Sequence, residues 1–237
     1  MTYNQFYMPQ KSETHATQVS AIFSRVARRY DRMNHLMTFG QDLRWRRQAA
    51  RRAAPAAGDI VLDLGTGTGD LSLAVLQEKS SARVVGADFN RLMLAGARGK
   101  GVKELVTCDA LGVPFEDEEF DVVVSGFLVR NVCDLERTLA EMRRVLKSGG
   151  RLVVLDTTRP RRNILLPFIR FYLHAVIPLL GWLVTGNVEA YRYLPASTEG
   201  FLSAEELAKQ MRIAGFSEVE FRRLMFGTAA LHWGRKS

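Results

Sequence analysis

The sequence predicts an α/β protein built on a doubly wound, largely parallel sheet. Three observations point to it. Short apolar runs alternate with helix-patterned stretches through the middle of the 237-residue chain. Runs such as Val122-Val123-Val124 and Leu152-Val153-Val154-Leu155 are apolar without alternation, as strands covered on both faces are. A glycine-rich turn, Gly65-Thr66-Gly67-Thr68-Gly69, follows the first such run directly. The composition agrees, since 47% hydrophobic and 24% charged residues exclude disorder, a collagen-like repeat and a coiled-coil rod.

Taken in order, residues 1–17 are polar and carry no apolar run of the kind a secretory signal needs, so neither a signal nor an N-terminal anchor is expected. Residues 1–52 read as an N-terminal helical lid. Arg25, Arg28 and Arg29, then Arg44, Arg46, Arg47, Arg51 and Arg52, are spaced as two amphipathic helices would space them, and Met33, Leu36, Met37 and Phe39 read as lid hydrophobes. The core is expected over 53–237. A strand at 59–64 leads into a helix at 71–76, a strand at 83–87 into a helix at 92–97, and a third strand covers 104–107. A fourth strand at 121–125 leads into a helix at 135–146, and a fifth at 151–155 follows the Gly149-Gly150 turn.

Residues 159–202 read as an apolar lid insertion. Within it, 163–184 is strongly apolar but interrupted by Pro167, Arg170, His174 and Pro178. The expectation is two short helices with an exposed or cavity-facing apolar side, not a membrane span. Ser203 followed by Glu206 is a capping-box pair opening a helix that should stop at Gly215. The runs 218–225 and 228–233, separated by Phe226-Gly227, predict a closing antiparallel hairpin.

The formal net charge is +8 and unevenly placed. Residues 1–52 hold 10 basic and 3 acidic side chains (+7), 53–158 hold 12 and 16 (−4), and 159–237 hold 11 and 6 (+5). Basic flanks suit an anionic partner. They lack the aromatic-interleaved stripe of a nucleic-acid surface, so an anionic membrane surface is the expected partner and no nucleic acid is. Two cysteines are too few for a disulfide scaffold and fit a reducing compartment, so the expectation is a cytoplasmic protein attached peripherally to the membrane. His15, His174 and His232 are scattered singly, and no metal site is expected.

The glycine turn carries the strongest chemical signal. A dinucleotide fingerprint would need a third glycine at position 70, which is Asp70. The spacing G-x-G-x-G is instead that of S-adenosylmethionine (SAM) methyltransferases, where no pyrophosphate must be held. Gly65, Thr66, Gly67, Thr68 and Gly69 are therefore candidate cofactor residues, with Asp63 fixing the loop and reaching the methionine amino group. Asp88 ends the second strand, where a carboxylate can accept hydrogen bonds from both ribose hydroxyls; Phe89 follows it. Asp109 and Ala110 end the third strand, where a carboxylate can receive the adenine amino group, and Pro114-Phe115 adds an apolar wall.

From about Phe23 to Gly234 the chain resembles the ubiquinone/menaquinone C-methyltransferase (UbiE-type) family. Three motifs carry the resemblance: Tyr30-Asp31-Arg32-Met33-Asn34 through Trp45, Arg130-Asn131 after the fourth strand, and Arg144-Val145-Leu146-Lys147 with Gly149-Gly150. The chain departs from the family's usual residues at several positions. Thr38 and Asp42 stand for Ser and His, Phe127-Leu128-Val129-Arg130-Asn131 for Phe-Gly-Leu-Arg-Asn, Ser148 for Pro, Asp156 for Glu and Thr158 for Ser. Gly126 occupies a position where some members place a SAM-contacting Ser.

The resemblance implies a class I SAM-dependent, Rossmann-like methyltransferase fold and methyl transfer to a carbon of a prenylated quinol, demethylmenaquinol-like or a ubiquinol precursor. Asp31 or His35 would accept the hydroxyl proton, Arg130 would stabilise the phenolate, and Asn131 would orient the ring oxygen. Tyr30 and Asn34 of the first motif, and Tyr191 and Tyr193 of a Tyr-Arg-Tyr stretch, would line the acceptor pocket. Two other readings stay open at this point: a methyltransferase of RNA or another small molecule, and a noncatalytic SAM-binding membrane adaptor.

Overall fold

The computed structural model describes Ala21 and residues 23–25, 27–161, 164–185 and 189–237. Its centre is one seven-stranded sheet in the order β3-β2-β1-β4-β5-β7-β6. The strands are β1 (Ile60–Leu64), β2 (Arg83–Asp88), β3 (Glu104–Thr107), β4 (Phe120–Gly126), β5 (Leu146–Thr157), β6 (Phe216–Leu224) and β7 (Ala229–Lys236). The first five are parallel, and β7 lies antiparallel between β5 and β6. The predicted class and closing hairpin are both present.

Both faces of the sheet are covered, and the apolar runs show why. Successive residues of a strand point to opposite faces. Val123, Leu152 and Val154 join one core with Leu139 and Met142, whereas Val122, Val124, Val153 and Leu155 join another with Leu71 and Val75. Helices α1 (Tyr30–Met37) and α2 (Gln41–Ala53) precede the sheet; α3 (Asp70–Glu78), α4 (Arg91–Gly99) and α5 (Leu135–Val145) alternate with its strands. Phe115, expected as a cavity wall, instead packs edge-on against the buried Phe120 ring at 4.9 Å.

Part of the segment expected to form an N-terminal lid, residues 1–52, packs into the core. Helix α2 buries Trp45, Ala49, Ala50 and Ala53 in the second core, so it is a layer of the sheet domain. Small residues at helical spacing let it approach the strands closely. Arg46 also departs from the expected basic face, being buried against Asp42.

The apolar insertion forms one helical run rather than two separate short helices: α6 (Leu166–Phe171), a π-helical turn (Tyr172–Val176) and α7 (Ile177–Thr185). Pro178 has no N–H to offer the carbonyl four residues back, and the chain widens just before it. No helix among the described residues is long and apolar enough to cross a membrane. This run packs on α1 in a third, separate cluster of Met33, Met37, Ile169, Leu173 and Ile177. Helices α8 (Glu189–Gly200) and α9 (Ala204–Ile213) follow, the latter opened by the expected box: Glu206 N–H donates to Ser203 Oγ at 3.3 Å and Ser203 N–H to Glu206 Oε2 at 2.7 Å.

Candidate active site

The order of strands reverses direction between β1 and β4, and open α/β sheets bind ligands beyond the carboxyl ends of their strands at that crevice. The loops after β1, β2, β3 and β4 meet there around a first cavity. Gly65, Gly67, Asp88, Phe89, Asp109, Ala110 and Gly126 line it, together with Phe23, Tyr30 and Asn131. Gly65 is required twice over: its φ is +75°, and a Cβ there would lie 2.8 Å from Leu128 Cβ.

The remaining residues of the glycine turn build the loop and do not line the cavity. The Thr66 hydroxyl donates to Asp63 Oδ2 at 2.8 Å, Thr68 donates to Asp31 Oδ1 at 2.5 Å, and a Cβ on Gly69 would meet Val102 at 2.8 Å. Thr66, Thr68 and Gly69 therefore depart from the expectation of cofactor contact, because their polar groups and space are taken by the protein itself.

Asp63 is fully buried beneath this turn. Ser72 and Thr66 donate to its Oδ2, while Oδ1 has no hydrogen-bond partner among the described residues. Burial pushes its carboxyl up to about 6, against the lowering effect of those hydroxyls. Asp88 accepts from Gly67 N–H at 2.9 Å and Asn90 N–H at 2.8 Å, and burial raises it too. Each of its oxygens keeps acceptor capacity for a hydroxyl. Asp109 Oδ1 accepts from Leu111 N–H at 3.0 Å. Two carboxylates on the cavity wall, Asp88 and Asp109, and the orphaned oxygen of Asp63 buried beneath the adjoining turn fit the ribose, adenine and ammonium of SAM.

A second, mostly apolar cavity of about 320 Å³ adjoins the first. Helix α1, the α6–α7 run and the β6–β7 turn enclose it, and Tyr30 and Phe127 line both cavities. Asn34 and Arg130 line this one as expected. Arg130 is buried, and its Nη1 donates to buried Asp156 Oδ1 at 2.5 Å. Asn131 instead lines the cofactor side and donates through Nδ2 to Phe127 O at 2.9 Å.

Two of the candidate proton acceptors are placed differently from the expectation. Asp31 lines neither cavity; Thr68 takes one of its oxygens and Lys100 the other at 2.6 Å, so it ties α1 to the glycine turn. His35 lines neither cavity and bonds through Nδ1 to Asp42 Oδ2 at 2.9 Å. Tyr191 and Tyr193 fall within α8, but their side chains lie outside the described residues.

Sequence reading passed over Phe127, Asp42, Tyr172 and the turn residues Met225 and Phe226, all of which line the second cavity. Phe127 holds a left-handed φ of +61°, a strain typical of functional sites, with Arg46 and Arg130 5.2 and 5.5 Å from its ring centroid. Its place in the Phe-x-x-Arg-Asn motif was the available signal.

Comparison with known proteins agrees with this geometry. Solved structures share the fold: a SAM-dependent methyltransferase of Thermotoga maritima superposes with a TM-score of 0.67 at 24% identity, covering 92% of this chain and 99% of that one. The [4+2]-cyclase SpnF does so at 0.68 and 18%, covering 93% and 96%, so the fold by itself does not name the reaction. Sequence is more specific. The chain is 47% identical over 222 residues to the ubiquinone/menaquinone biosynthesis C-methyltransferase UbiE of Desulfotalea psychrophila, covering 92% of this chain and 90% of the relative. It is 47% identical over 218 residues to the demethylmenaquinone methyltransferase of Thermus thermophilus, covering 90% and 99%. With the family model matching residues 10–236, nearly the whole span that builds both cavities, the chain belongs to the ubiE/COQ5 methyltransferase family.

Proposed function

We propose that the protein transfers the methyl group of SAM to a ring carbon of a prenylated quinol of the demethylmenaquinol class. The observation that carries this reading is the pair of adjoining cavities, one edged by carboxylates and the other largely apolar, that share Tyr30 and Phe127. When bound, SAM supplies a methyl group made electrophilic by its sulfonium. Asp63 would hold its ammonium, Asp88 its ribose hydroxyls and Asp109 its adenine amino group. Asp156 holds the Arg130 guanidinium at the acceptor cavity, where its charge stabilises the phenolate that makes the adjacent ring carbon nucleophilic. Tyr30, Asn34 and Phe127 orient the ring, and the names of the relatives support the choice of acceptor.

Incubation with isotope-labelled SAM and reduced lipid extract should yield a quinol carrying one labelled ring methyl, identified by mass spectrometry. Label found in RNA, or in no lipid, would remove this reading.

An apolar rim around the acceptor cavity supports delivery of the tail from a membrane. Phe39, Phe168 and Phe226 line the cavity and are each more than 70% exposed, with Ile164 and Phe171 exposed beside them. Helix α1 and the α6–α7 run would then lie in the lipid interface, helped by the exposed Arg44, Arg47 and Arg51 of α2. Phe39→Ser with Phe168→Ser should reduce cosedimentation with anionic vesicles by about tenfold or more, since each buried ring is worth about 1.5–3 kcal/mol. Unchanged sedimentation of the folded double variant would contradict membrane docking by this rim.

A further inference from the structure

C-methylation of a ring releases a proton. One C–C bond forms, the S–C bond of the donor and a ring C–H bond break, and each turnover leaves one H⁺ to be carried out of a largely apolar site. The acceptor cavity is largely apolar, and its buried guanidinium cannot serve as a base.

One chain of hydrogen bonds leads from that cavity to the surface. Thr38, at the C-terminal end of α1, lines the cavity; its oxygen accepts from Asp42 N–H at 3.2 Å, and its one hydroxyl proton is shared between Asn34 O at 2.7 Å and Asp42 Oδ1 at 2.8 Å. The Asp42 side chain is fully buried at the start of α2, and its carboxylate bonds to His35 Nδ1 at 2.9 Å. The His35 side chain is 36% exposed. Thr38 and Asp42 thus both line the cavity wall, and His35 carries the chain on to solvent, all within the α1–α2 corner.

The charges around this chain are compatible with a mobile proton. Arg46 Nη1 lies 2.6 Å from Asp42 Oδ2 and holds the carboxylate in place. Asp70 approaches from α3, with an oxygen within 4.8 Å of the His35 and Asp42 ligand atoms. Lys100 bridges Asp70 at 2.5 Å and Asp31 at 2.6 Å. Three carboxylates face two fixed cations, so the cluster carries one net negative charge with a neutral imidazole and none when His35 holds a proton.

We propose that Thr38, Asp42 and His35 form the proton exit of the methyl-transfer site. The acceptor's hydroxyl gives its proton to Thr38 Oγ as that oxygen passes its own to Asp42, and the ring C–H proton lost when the methylated ring regains aromaticity returns to the acceptor's oxygen, so the net loss is one H⁺. Asp42 passes one to His35 Nδ1, Nε2 releases one to water, and proton exchange with water at the exposed ring restores the starting tautomer, so one proton enters and one leaves per turnover. Thr38 is the catalytic contact, and Asp42 and His35 act through it.

This proposal rests on the quinol reading above, and wild-type turnover on a reduced short-chain demethylmenaquinol with labelled SAM tests that reading separately. Given wild-type turnover, His35→Ala should lower kcat by about tenfold to a hundredfold, at the lower end of general acid–base effects. Its KM and its SAM affinity by calorimetry should stay close to wild type. Free imidazole, able to reach a half-exposed site, should restore kcat in proportion to its concentration. Thr38→Val should lose turnover without imidazole rescue, and Thr38→Ser, which keeps the hydroxyl, should recover most of it. A His35→Ala enzyme with undiminished kcat, or with a loss that imidazole does not restore, overturns the proton exit; so does normal turnover by Thr38→Val. No wild-type turnover on any reduced quinol would overturn the functional reading and this proposal together.

Discussion

Replacing Arg130 by alanine should cost about 3–5 kcal/mol of folding stability as well as most of the turnover. The guanidinium and the Asp156 carboxylate are both buried at 2.5 Å, and removing one partner leaves the other as an uncompensated buried charge. Asp156 also accepts from the Arg130 and Thr157 backbone N–H groups, so the lone carboxylate would be held in place and not released to water. Loss of stability by itself would therefore say little about catalysis. The double variant Arg130→Met with Asp156→Asn separates the two, because it removes both charges and keeps an amide acceptor for the backbone. Its melting temperature should return most of the way to wild type. Its turnover should remain down by about a hundredfold to a thousandfold if Arg130 steadies a developing phenolate. A stable double variant with normal turnover would leave the guanidinium with a structural role only.

The second large effect is expected at Asp63, with opposite signs for stability and binding. Its carboxyl is raised to about 6 in the fold against an ordinary 3.8, so the folded state binds more protons between those values. Stability falls as pH rises through that window, by about 3 kcal/mol at neutral pH. Asp63→Asn removes this penalty while keeping an acceptor for Thr66 and Ser72, and should raise the melting temperature of the free protein by several degrees. The same change removes the charge available to the SAM ammonium and should weaken SAM binding by about tenfold to a hundredfold. In the wild type, SAM affinity should decline below about pH 6 as Asp63 takes up its proton.

His232 makes the stability profile of Asp63→Asn distinctive. Burial lowers this histidine from 6.5 to about 4, so the unfolded chain binds more protons between those values and stability rises with pH there. The two effects are of similar size and opposite sign in overlapping windows. The wild type should show a nearly flat contribution from this pair between pH 4 and 6.5, and Asp63→Asn should expose a rise of about 3 kcal/mol over that range. Denaturant titrations at a series of pH values check this, and a variant as flat as wild type would contradict the assignment for Asp63.

The elements that could be read in the chain are those whose physics is local. Unbroken apolar strands, the Ser203–Glu206 box, the positive-φ glycine turn and the place of Asp88 at the end of β2 each depend on residues close in sequence. That Gly65, Asp88 and Asp109 meet around one cavity follows from the same kind of order, since a parallel sheet brings the loops after successive strands to one edge whatever their side chains do.

The acceptor side depended on how separate segments pack. Asp31 and His35 sit in the motif expected to supply a base, yet Thr68 and Lys100 claim one and Asp42 the other. Helix α2 carries five arginines of the expected lid's amphipathic pattern, yet its alanine face belongs to the core. Phe226 and Thr228 reach the acceptor cavity from the far end of the chain. By itself the sequence determined the sheet, the glycine turn and the family. Tertiary structure decided which carboxylate is free, which cation is already neutralised and which apolar side chains face a cavity instead of the core. Those outcomes turn on which buried groups meet, because a buried charge takes the partner that packing puts within hydrogen-bond reach, and that partner stands 26 residues away for Arg130 and 37 for Asp31.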